Sequence, residues 1–365
     1  MRLAFCTSPG YGHFLPVVPL AWAARSAGHE VLVVTAAAAV RASVEAGLPV
    51  MDVRPSPDAG EPRPGAMARG ALPTAQYAMP DGPMAARMIA ALEAWRPDLI
   101  VTEHNDFLAP AVAGVLCVPV VVHGLGVLPV PPSLPPPPPF VASALDEIGI
   151  GPRAPSVAGF VDTCPPSLRD EPAPHAWLMR HVPYNGGCVL PDWLRGRPPG
   201  PRVCLTLGTV VPALAELSHI RALVESAQGV DAEVILVLGD VDPTPIGRMP
   251  PNVRPTAWLP LSELLPTCDC IVHHGGAGTT MNAVVAGVPQ CVLPFRDGAL
   301  VERRGLGVAL DAETGLGAGA IRDAIRLVLR EPAYREAADE VRREVAAMPS
   351  PVEVLARMEG LTRSS

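Results

Sequence analysis

Short apolar segments alternate with stretches of helical period along the chain. In the first half, the runs 99–101 and 120–122 contain only apolar residues, which is typical of parallel strands covered on both faces. Apolar residues three or four positions apart predict helices between them. The predicted strands are Arg2–Ser8, Glu30–Thr35, Asp98–Glu103 and Pro119–His123, and the predicted helices are Phe14–Ala27 and Ala109–Cys117.

The same alternation restarts after residue 200. The predicted strands are Val203–Leu207, Val234–Leu238, Cys270–His273 and Gln290–Pro294, and the predicted helices are Pro212–Gln228, Ala277–Ala286 and Ala320–Arg330. The pattern predicts an α/β protein with two Rossmann-like α/β/α domains, each built on a parallel sheet. We place the N-terminal domain at 1–194, a linker rich in Pro, Gly and Arg at 195–201, and the C-terminal domain at 202–348. The helical segment 349–365 is expected to pack back on the N-terminal domain.

Two stretches do not fit this alternation. Residues 54–83 hold many Pro, Gly and Ala residues without an apolar period, and the segment 130–140 contains Pro135–Pro139, which predicts polyproline II. Loops after parallel strands often bind substrates, so both stretches are candidates for that role. Plain surface loops are an equally good interpretation of either.

Composition excludes several classes of function. The 28 basic residues are all arginine, so a lysine nucleophile, a Schiff base and a Walker lysine are excluded. A net charge of −8 argues against nucleic-acid binding. The eight cysteines show no CxxC spacing and predict buried free thiols. No run of 18 apolar residues occurs, and Gly12, His13 and Pro16 interrupt the N-terminal apolar stretch, so we expect a cytoplasmic protein without membrane insertion.

The first candidate motif is Gly10-Tyr11-Gly12-His13, between the first strand and the first helix. A dinucleotide fingerprint would need a third glycine at position 15, which is Leu, and an acidic residue after the second strand. His13 is therefore the notable side chain, because a titratable group at a strand-to-helix turn can serve as an acid or base. A structural histidine is an equally good interpretation.

The second candidate motif runs from His273 to Thr280 and also joins a strand to a helix. Its glycines allow close backbone approach, and the helix N-terminus directs N–H groups at a ligand, which predicts a phosphate site without a lysine. Asp240 and Asp242 resemble a metal-binding DxD, but Pro243 follows them and favours a turn. His273 and His274 point to opposite faces of an extended chain, so we predict no metal site.

Two segments together carry a family resemblance. The C-terminal segment 252–294, with Trp258-Leu259-Pro260-Leu261, His273–Thr280 and Ala286-Gly287-Val288-Pro289-Gln290, and the N-terminal Pro9–Pro16 resemble family 1 glycosyltransferases of GT-B fold. The similarity is strongest to the bacterial members that glycosylate antibiotics and other secondary metabolites. It implies two domains facing across a cleft and an inverting, metal-independent transfer from a nucleotide diphosphate sugar, with no cofactor.

The resemblance also implies roles for individual residues. His13 would be the general base, and Glu103 would orient it, with Asp106 as the alternative. Gly12 and Phe14 would contact the acceptor. The implied donor-binding residues are Thr209, Trp258, His274, Gly276, Gly278, Thr279, Asn282 and Asp297.

Two positions depart from the family pattern. Asp297 is followed by Gly298 where an Asp-Gln pair often binds the sugar hydroxyls, which weakens the implied sugar contact. Asn282 stands where plant members have a glutamate that binds the ribose hydroxyls. A weaker ribose contact favours a dTDP donor, which lacks the 2′-hydroxyl, over a UDP donor.

The sequence therefore leads to one main hypothesis and two alternatives. The main hypothesis is the transfer of a deoxyhexose from a dTDP-sugar to a lipophilic small molecule in bacterial secondary metabolism. The alternatives are a transferase for a lipid-linked acceptor and a catalytically silent nucleotide-sugar-binding subunit. A homodimer is compatible with the sequence.

Overall fold

A computed structural model describes residues 1–54, 80–208, 217–239, 242–294, 298–311 and 317–363. The chain divides into two compact units. The first contains the described residues up to Gly186 together with those from Met348 onward, and the second contains those from Gly187 to Ala347.

The first unit is built on a seven-stranded parallel sheet of order β3-β2-β1-β4-β5-β6-β7. Its strands are β1 Arg2–Cys6, β2 Glu30–Thr35, β3 Val50–Asp52, β4 Leu99–Glu103, β5 Val120–His123, β6 Val157–Asp162 and β7 Ala176–Leu178. Its helices are α1 Tyr11–Phe14, α2 Val18–Ser26, α3 Ala38–Glu45, α4 Gly82–Trp95, α5 Leu108–Leu116 and α6 Pro139–Asp146. The strand order reverses between β1 and β4, which pair with Cys6 opposite Thr102.

The second unit repeats this arrangement with six parallel strands in the order β10-β9-β8-β11-β12-β13. The strands are β8 Arg202–Thr206, β9 Glu233–Val237, β10 Val253–Thr256, β11 Cys270–His273, β12 Gln290–Val292 and β13 Gly307–Ala309. The helices are α7 Leu217–Ser226, α8 Leu261–Leu264, α9 Ala277–Ala286, α10 Ala299–Arg303, α11 Ala318–Arg330 and α12 Pro332–Ala347. Here the order reverses between β8 and β11, so each sheet has one topological switch point.

The last helix, α13 Pro351–Arg363, belongs to the first unit. Val354, Leu355 and Met358 are buried in the same core as the apolar residues of β1 and α2. Glu359 accepts a hydrogen bond from His29 Nε2 at 2.8 Å. The apolar face of the C-terminal segment is therefore covered by the N-terminal half of the chain.

The structure also differs from the sequence-based expectations. The units divide between Gly186 and Gly187, before the predicted linker, because Leu194 is buried with Cys204 and Ile235 in the second unit. Cys117 and Cys188 are exposed, whereas the other six free cysteines are buried. The prediction of a buried thiol is thus wrong for Cys117, which follows the last turn of α5, and for Cys188. Helix α4 occupies the end of the stretch 54–83, and residues 55–79 lie outside the described residues.

Candidate functional site

One candidate site lies at the switch point of the first sheet. β1 leads through residues 7–10 into α1, which carries His13, and β4 ends at Glu103. Because the two strands are parallel neighbours, their carboxyl ends meet at the same edge of the sheet. Ligands in open α/β sheets bind at such an edge, where the strand order reverses.

His13 and Glu103 are in direct contact at this edge. His13 Nδ1 lies 3.0 Å from Glu103 Oε1, and the glutamate side chain is fully buried whereas that of His13 is 16% exposed. The Ser8 N–H donates to Oε1 at 3.3 Å, and the Asn105 N–H donates to Oε2 at 2.7 Å. The carboxylate is therefore held by two backbone groups and oriented toward the imidazole.

The charge state of Glu103 follows from these partners. Burial by itself would raise the pKa of Glu103, but the hydrogen bond and charge interaction with His13 and the hydrogen bonds from Asn105 and Ser8 outweigh it and lower the pKa. Glu103 is consequently a carboxylate that accepts a hydrogen bond from Nδ1–H of His13. This fixes the tautomer of the neutral ring and leaves the lone pair of the imidazole on Nε2.

Asp106, the alternative partner of His13, has a different position. Its Oδ1 accepts hydrogen bonds from the Leu108 and Ala109 N–H groups at 3.0 and 3.1 Å, so it caps the N-terminus of α5. Burial, together with the nearby charge of Glu103, raises the pKa of Asp106 to about 7. The structure thus brings Glu103 rather than Asp106 into contact with the imidazole.

The two predicted acceptor contacts, Gly12 and Phe14, flank His13. A Cβ atom at Gly12 would meet nothing within 4 Å, so a ligand has room beside it. Phe14 is fully buried in the core of the first unit with Val17 and Leu20. Its side chain is packed into this core, and the acceptor contact of Phe14 stays a prediction.

Another candidate site lies at the switch point of the second sheet, after β11. His273, the last residue of that strand, is fully buried and bonded on both ring nitrogens. The Gly275 N–H donates to Nδ1 at 3.1 Å, and Nε2 donates to Gln290 Oε1 at 3.0 Å. Burial, with a smaller effect of His274, lowers the pKa of His273 to about 3, so the ring is neutral.

The ring of His274 lies between two glycines. A Cβ atom at Gly208 would come within 2.3 Å of this ring, and one at Gly276 within 2.4 Å, so only glycine leaves space for it at either position. By contrast, a Cβ at Gly278 would meet nothing within 4 Å. The backbone is therefore closely packed around His274 and open beside the first turn of α9.

Helix α9 begins at this open position. Its N-cap, Gly276, is a glycine, so the N–H groups of the first turn donate no hydrogen bond to a capping side chain. Thr279 is nearly buried in this turn, and Asn282 Nδ2 donates to the Gly278 carbonyl at 2.7 Å. Asn282 Oδ1 is buried and has no hydrogen-bond partner among the described residues. The turn thus presents several donors and one buried acceptor.

The remaining predicted donor residues are distributed as follows. Trp258 follows β10 at the same edge of the second sheet, and 38% of the residue is exposed, enough for an aromatic face to be covered by a ligand. Thr209 and Asp297 lie outside the described residues. Of the DxD-like pair, Asp240 also lies outside them, and Asp242 Oδ1 accepts a hydrogen bond from the Thr244 N–H at 2.9 Å, as in a turn.

Sequence reasoning missed the partner of His273. Gln290 was recognised only as the end of a motif, although a histidine that closes a buried strand needs a polar partner on a neighbouring strand. The register Ile271↔Gln290 supplies that partner and becomes visible only with the sheet order.

Two kinds of feature are absent from the described part of the chain. It contains no group of three or more His, Cys, Asp or Glu side chains arranged to hold a metal ion. None of its helices combines the length and the apolar character required to cross a membrane.

A separate cavity of about 640 Å³ lies in the first unit between the proline run 135–137 and residues 152–160. Phe160 lines it, and the adjacent residue Val161 is buried in the core that contains Phe14. Because neighbouring residues of a strand point to opposite faces, Phe160 lies on the face of the sheet away from α2. We therefore do not assign this cavity to the site around His13.

Both parts of the chain match domains of known proteins. Residues 68–208 match the N-terminal domain of erythromycin biosynthesis protein CIII-like proteins, and residues 221–361 match the C-terminal domain. The elloramycin glycosyltransferase ElmGT of Streptomyces olivaceus is 38% identical over 379 residues, covering 98% of this chain and 97% of that protein.

Solved structures of glycosyltransferases are similar to this chain over nearly its whole length. The glycosyltransferase SnogD from Streptomyces nogalater is 36% identical with a TM-score of 0.81, and the similarity covers 99% of each chain. The spinosyn rhamnosyltransferase SpnG, solved with thymidine diphosphate, is 28% identical with a TM-score of 0.80, covering 98% of this chain and 100% of that one. SpnG was also solved with the spinosyn aglycone.

The two parallel sheets with helices, the matched domains and the full-length relatives all lead to one assignment. The chain belongs to the EryCIII-like family of antibiotic-biosynthesis glycosyltransferases, and the protein is a glycosyltransferase of the two-domain α/β GT-B fold.

Proposed function

We propose that the protein transfers a deoxyhexose from a dTDP-sugar to a hydroxyl group of a lipophilic natural product, with inversion at the anomeric carbon and without a metal ion. The observation that carries this proposal is the hydrogen bond between His13 Nδ1 and Glu103 Oε1. A buried carboxylate that orients a partly exposed imidazole is the arrangement expected of a general base.

In the proposed reaction, His13 Nε2 accepts the proton of the acceptor hydroxyl while the oxygen attacks the anomeric carbon. The nucleoside diphosphate leaves from the opposite face of the sugar, so one displacement inverts the carbon. Glu103 stabilises the imidazolium that forms and keeps Nδ1 as the donor nitrogen. His13 and Glu103 thus act together in a single step.

The leaving diphosphate requires neutralisation, which we assign to the turn after β11. The N–H groups of the first turn of α9 carry the positive end of the helix dipole, and the Thr279 hydroxyl and His274 add donors. The open space beside Gly278 leaves room for the phosphates. We assign the nucleotide base to the face of Trp258. These groups can stabilise the departing charge without a metal ion, and neither Thr209 nor Asp297 is needed for this part of the proposal.

The preference for dTDP follows from Asn282. Its Nδ2 donates to the Gly278 carbonyl, and Oδ1, the one acceptor atom of the side chain, is assigned to the ribose. One acceptor suits a deoxyribose with its single 3′-hydroxyl, whereas the 2′-hydroxyl of UDP would stay poorly paired. SpnG, solved with thymidine diphosphate, is a relative with such a nucleotide.

The proposal for the acceptor rests on the relatives. ElmGT is named for elloramycin, and SpnG was solved with the spinosyn aglycone, so a lipophilic natural product is the acceptor class that we propose here. We further propose that the protein acts in the cytoplasm and forms a homodimer, which light scattering of the purified protein would test.

The proposal is tested by incubating the purified protein with dTDP- and UDP-sugars and a panel of polyketide aglycones. We expect a glycoside from dTDP-deoxyhexoses whose anomeric configuration, determined by NMR, is opposite to that of the donor. Activity should persist in EDTA. Loss of activity under chelation, restored by magnesium or manganese, would contradict metal independence, and a product with retained configuration would contradict the role of His13.

A further inference from the structure

Gln290 is a buried polar residue to which the proposed mechanism gives no role. It begins β12, is fully buried, and its Oε1 accepts the hydrogen bond from His273 Nε2. Its Nε2 is also buried and has no hydrogen-bond partner among the described residues. A buried NH₂ group without an acceptor destabilises the folded protein, and a leucine of similar size would avoid that cost. The contribution of this side chain therefore lies in its carbonyl oxygen.

The carbonyl oxygen determines which nitrogen of His273 carries the proton. With Nε2–H donating to Gln290, Nδ1 keeps its lone pair and can accept the hydrogen bond from the Gly275 N–H. If the proton moved to Nδ1, that nitrogen would face the Gly275 N–H with a hydrogen of its own. The tautomer of a buried ring is thus coupled to the backbone two residues along the chain.

The backbone at Gly275 determines the geometry of residues 274–276, the turn between β11 and α9 that we call the phosphate turn. Gly275 has φ +83°, and it connects the end of β11 to the N-cap of α9. The His274 ring, fixed between Gly208 and Gly276, is part of the same turn. A shift at Gly275 would move both the His274 ring and the first N–H groups of the helix, which are the groups assigned to the diphosphate.

We propose that Gln290 is a positioning residue for donor binding: through His273 it holds the Gly275 turn in the conformation that takes the nucleoside diphosphate. The inference rests on the proposed function, because it assigns the diphosphate to this turn. Gln290 itself touches no substrate, so its replacement should weaken donor binding and leave the chemistry at His13 intact.

The test is a double-mutant cycle on the full chain, with dTDP affinity measured by calorimetry. Gln290→Leu should weaken dTDP about tenfold, which corresponds to about 1.4 kcal/mol, and should raise the KM for the donor while kcat changes little. His273→Asn should bind dTDP nearly normally, because an Asn oxygen can take the place of Nδ1 as the acceptor for Gly275. Adding Gln290→Leu to His273→Asn should then cost nothing further.

A matched control separates this role from general packing. Val292→Ala, on the same strand and opposite His273 in the register, removes buried apolar volume without affecting the hydrogen bonds. It should lower the melting temperature and leave the dTDP affinity unchanged. An equal loss from Gln290→Leu in both backgrounds, or no loss in a protein that binds dTDP, would overturn the proposal.

The position of the proton on His273 can be measured directly, whichever donor the protein uses. Among the nine histidines, the ¹⁵N imidazole signals that disappear in His273→Asn belong to His273. We expect the unmodified protein to show a neutral ring with the proton on Nε2, and a proton on Nδ1 would overturn the inference even if dTDP binds. Failure of the unmodified protein to bind any nucleoside diphosphate would contradict the proposed function instead.

Discussion

Each unit of the protein places a histidine at the switch point of its sheet, and the two histidines differ in their partners. His13 contacts the carboxylate of Glu103, whereas His273 contacts the neutral amide of Gln290. His13 is partly exposed, and His273 is fully buried. The same imidazole ring is therefore set up in two ways, once beside a charge at the surface of the site and once beside an amide within the core.

The difference teaches how the partner selects the role. A carboxylate stabilises the imidazolium, so the first ring can accept a proton during a reaction. The hydrogen bond to a neutral amide stabilises the protonated ring less than burial disfavours it, and burial lowers the pKa of His273 to about 3. The second ring consequently stays neutral and serves as a fixed hydrogen-bond acceptor for the backbone. Reactivity and support are thus separated between the two units.

The largest expected effect comes from removing the first ring. His13→Ala should reduce kcat by roughly 10²–10⁴-fold, the range usual for a positioned general base. The dTDP affinity should stay nearly unchanged, because the phosphate turn belongs to the other unit. Steady-state kinetics and calorimetry check the two parts. Normal turnover of the alanine variant would rule out His13 as the base.

The next effect comes from giving the first histidine the partner of the second. Glu103→Gln keeps the shape of the side chain but removes its charge. It also replaces one carboxylate oxygen by an NH₂ group, so either the Ser8 N–H or the Asn105 N–H loses its acceptor. We expect kcat to fall roughly ten- to a hundredfold, which is less than the whole rate factor that a general base supplies. The dTDP affinity again serves as the control. An unchanged kcat would show that the charge of Glu103 has no part in the reaction.

A smaller effect concerns the nucleoside in the second unit. The unmodified protein should bind dTDP about tenfold more tightly than UDP, because an unpaired 2′-hydroxyl costs roughly 1–3 kcal/mol. Asn282→Glu supplies a second acceptor oxygen and should narrow this gap, whereas Thr279→Ala should weaken both nucleotides alike. Calorimetric titration measures all three. Equal affinities in the unmodified protein would remove the basis for a dTDP donor.

The smallest effect concerns the pH dependence of stability in the first unit. Asp106 has a folded-state pKa of about 7, above its value of about 3.9 in an unfolded chain. The folded state thus keeps a proton that the unfolded state loses, and the stabilisation is full below about pH 4 and is lost as the pH rises through 7. Asp106→Asn keeps the cap but cannot titrate.

Melting temperatures at pH 5 and pH 8 test this prediction. The unmodified protein should lose stability between the two values more steeply than Asp106→Asn, by about 2–4 °C for each kcal/mol of difference. Asp106→Ala serves as a control because it lacks both the charge and the cap, and it should be less stable than the Asn variant at both pH values. Identical slopes for the Asn variant and the unmodified protein would mean that Asp106 is ionised when folded.

The sequence by itself determined the elements that carry the site. The apolar runs and helical periods predicted the central strands and helix Ala277–Ala286 with its observed bounds, and the two glycine motifs indicated His13 and the turn after β11 as candidates. It missed β3, β6, β7, β10 and β13, because these strands are short or partly exposed and lack a continuous apolar run. The pattern also failed to predict α4, although Met84, Met88 and Leu92 of that helix are buried.

Only the tertiary structure decided which side chains meet. Asp106 is the alternative to Glu103 along the chain, but the pairing of β4 with β1 brings Glu103 to His13 and leaves Asp106 at the start of α5. The sequence predicts that Phe14, next to His13, contacts the acceptor, whereas the structure places its side chain in the core of the first unit. Gln290 reaches His273 through the pairing of β11 with β12. Contacts between distant residues depend on sheet order and register, and these are set by the packing of whole elements, which no local window of sequence contains.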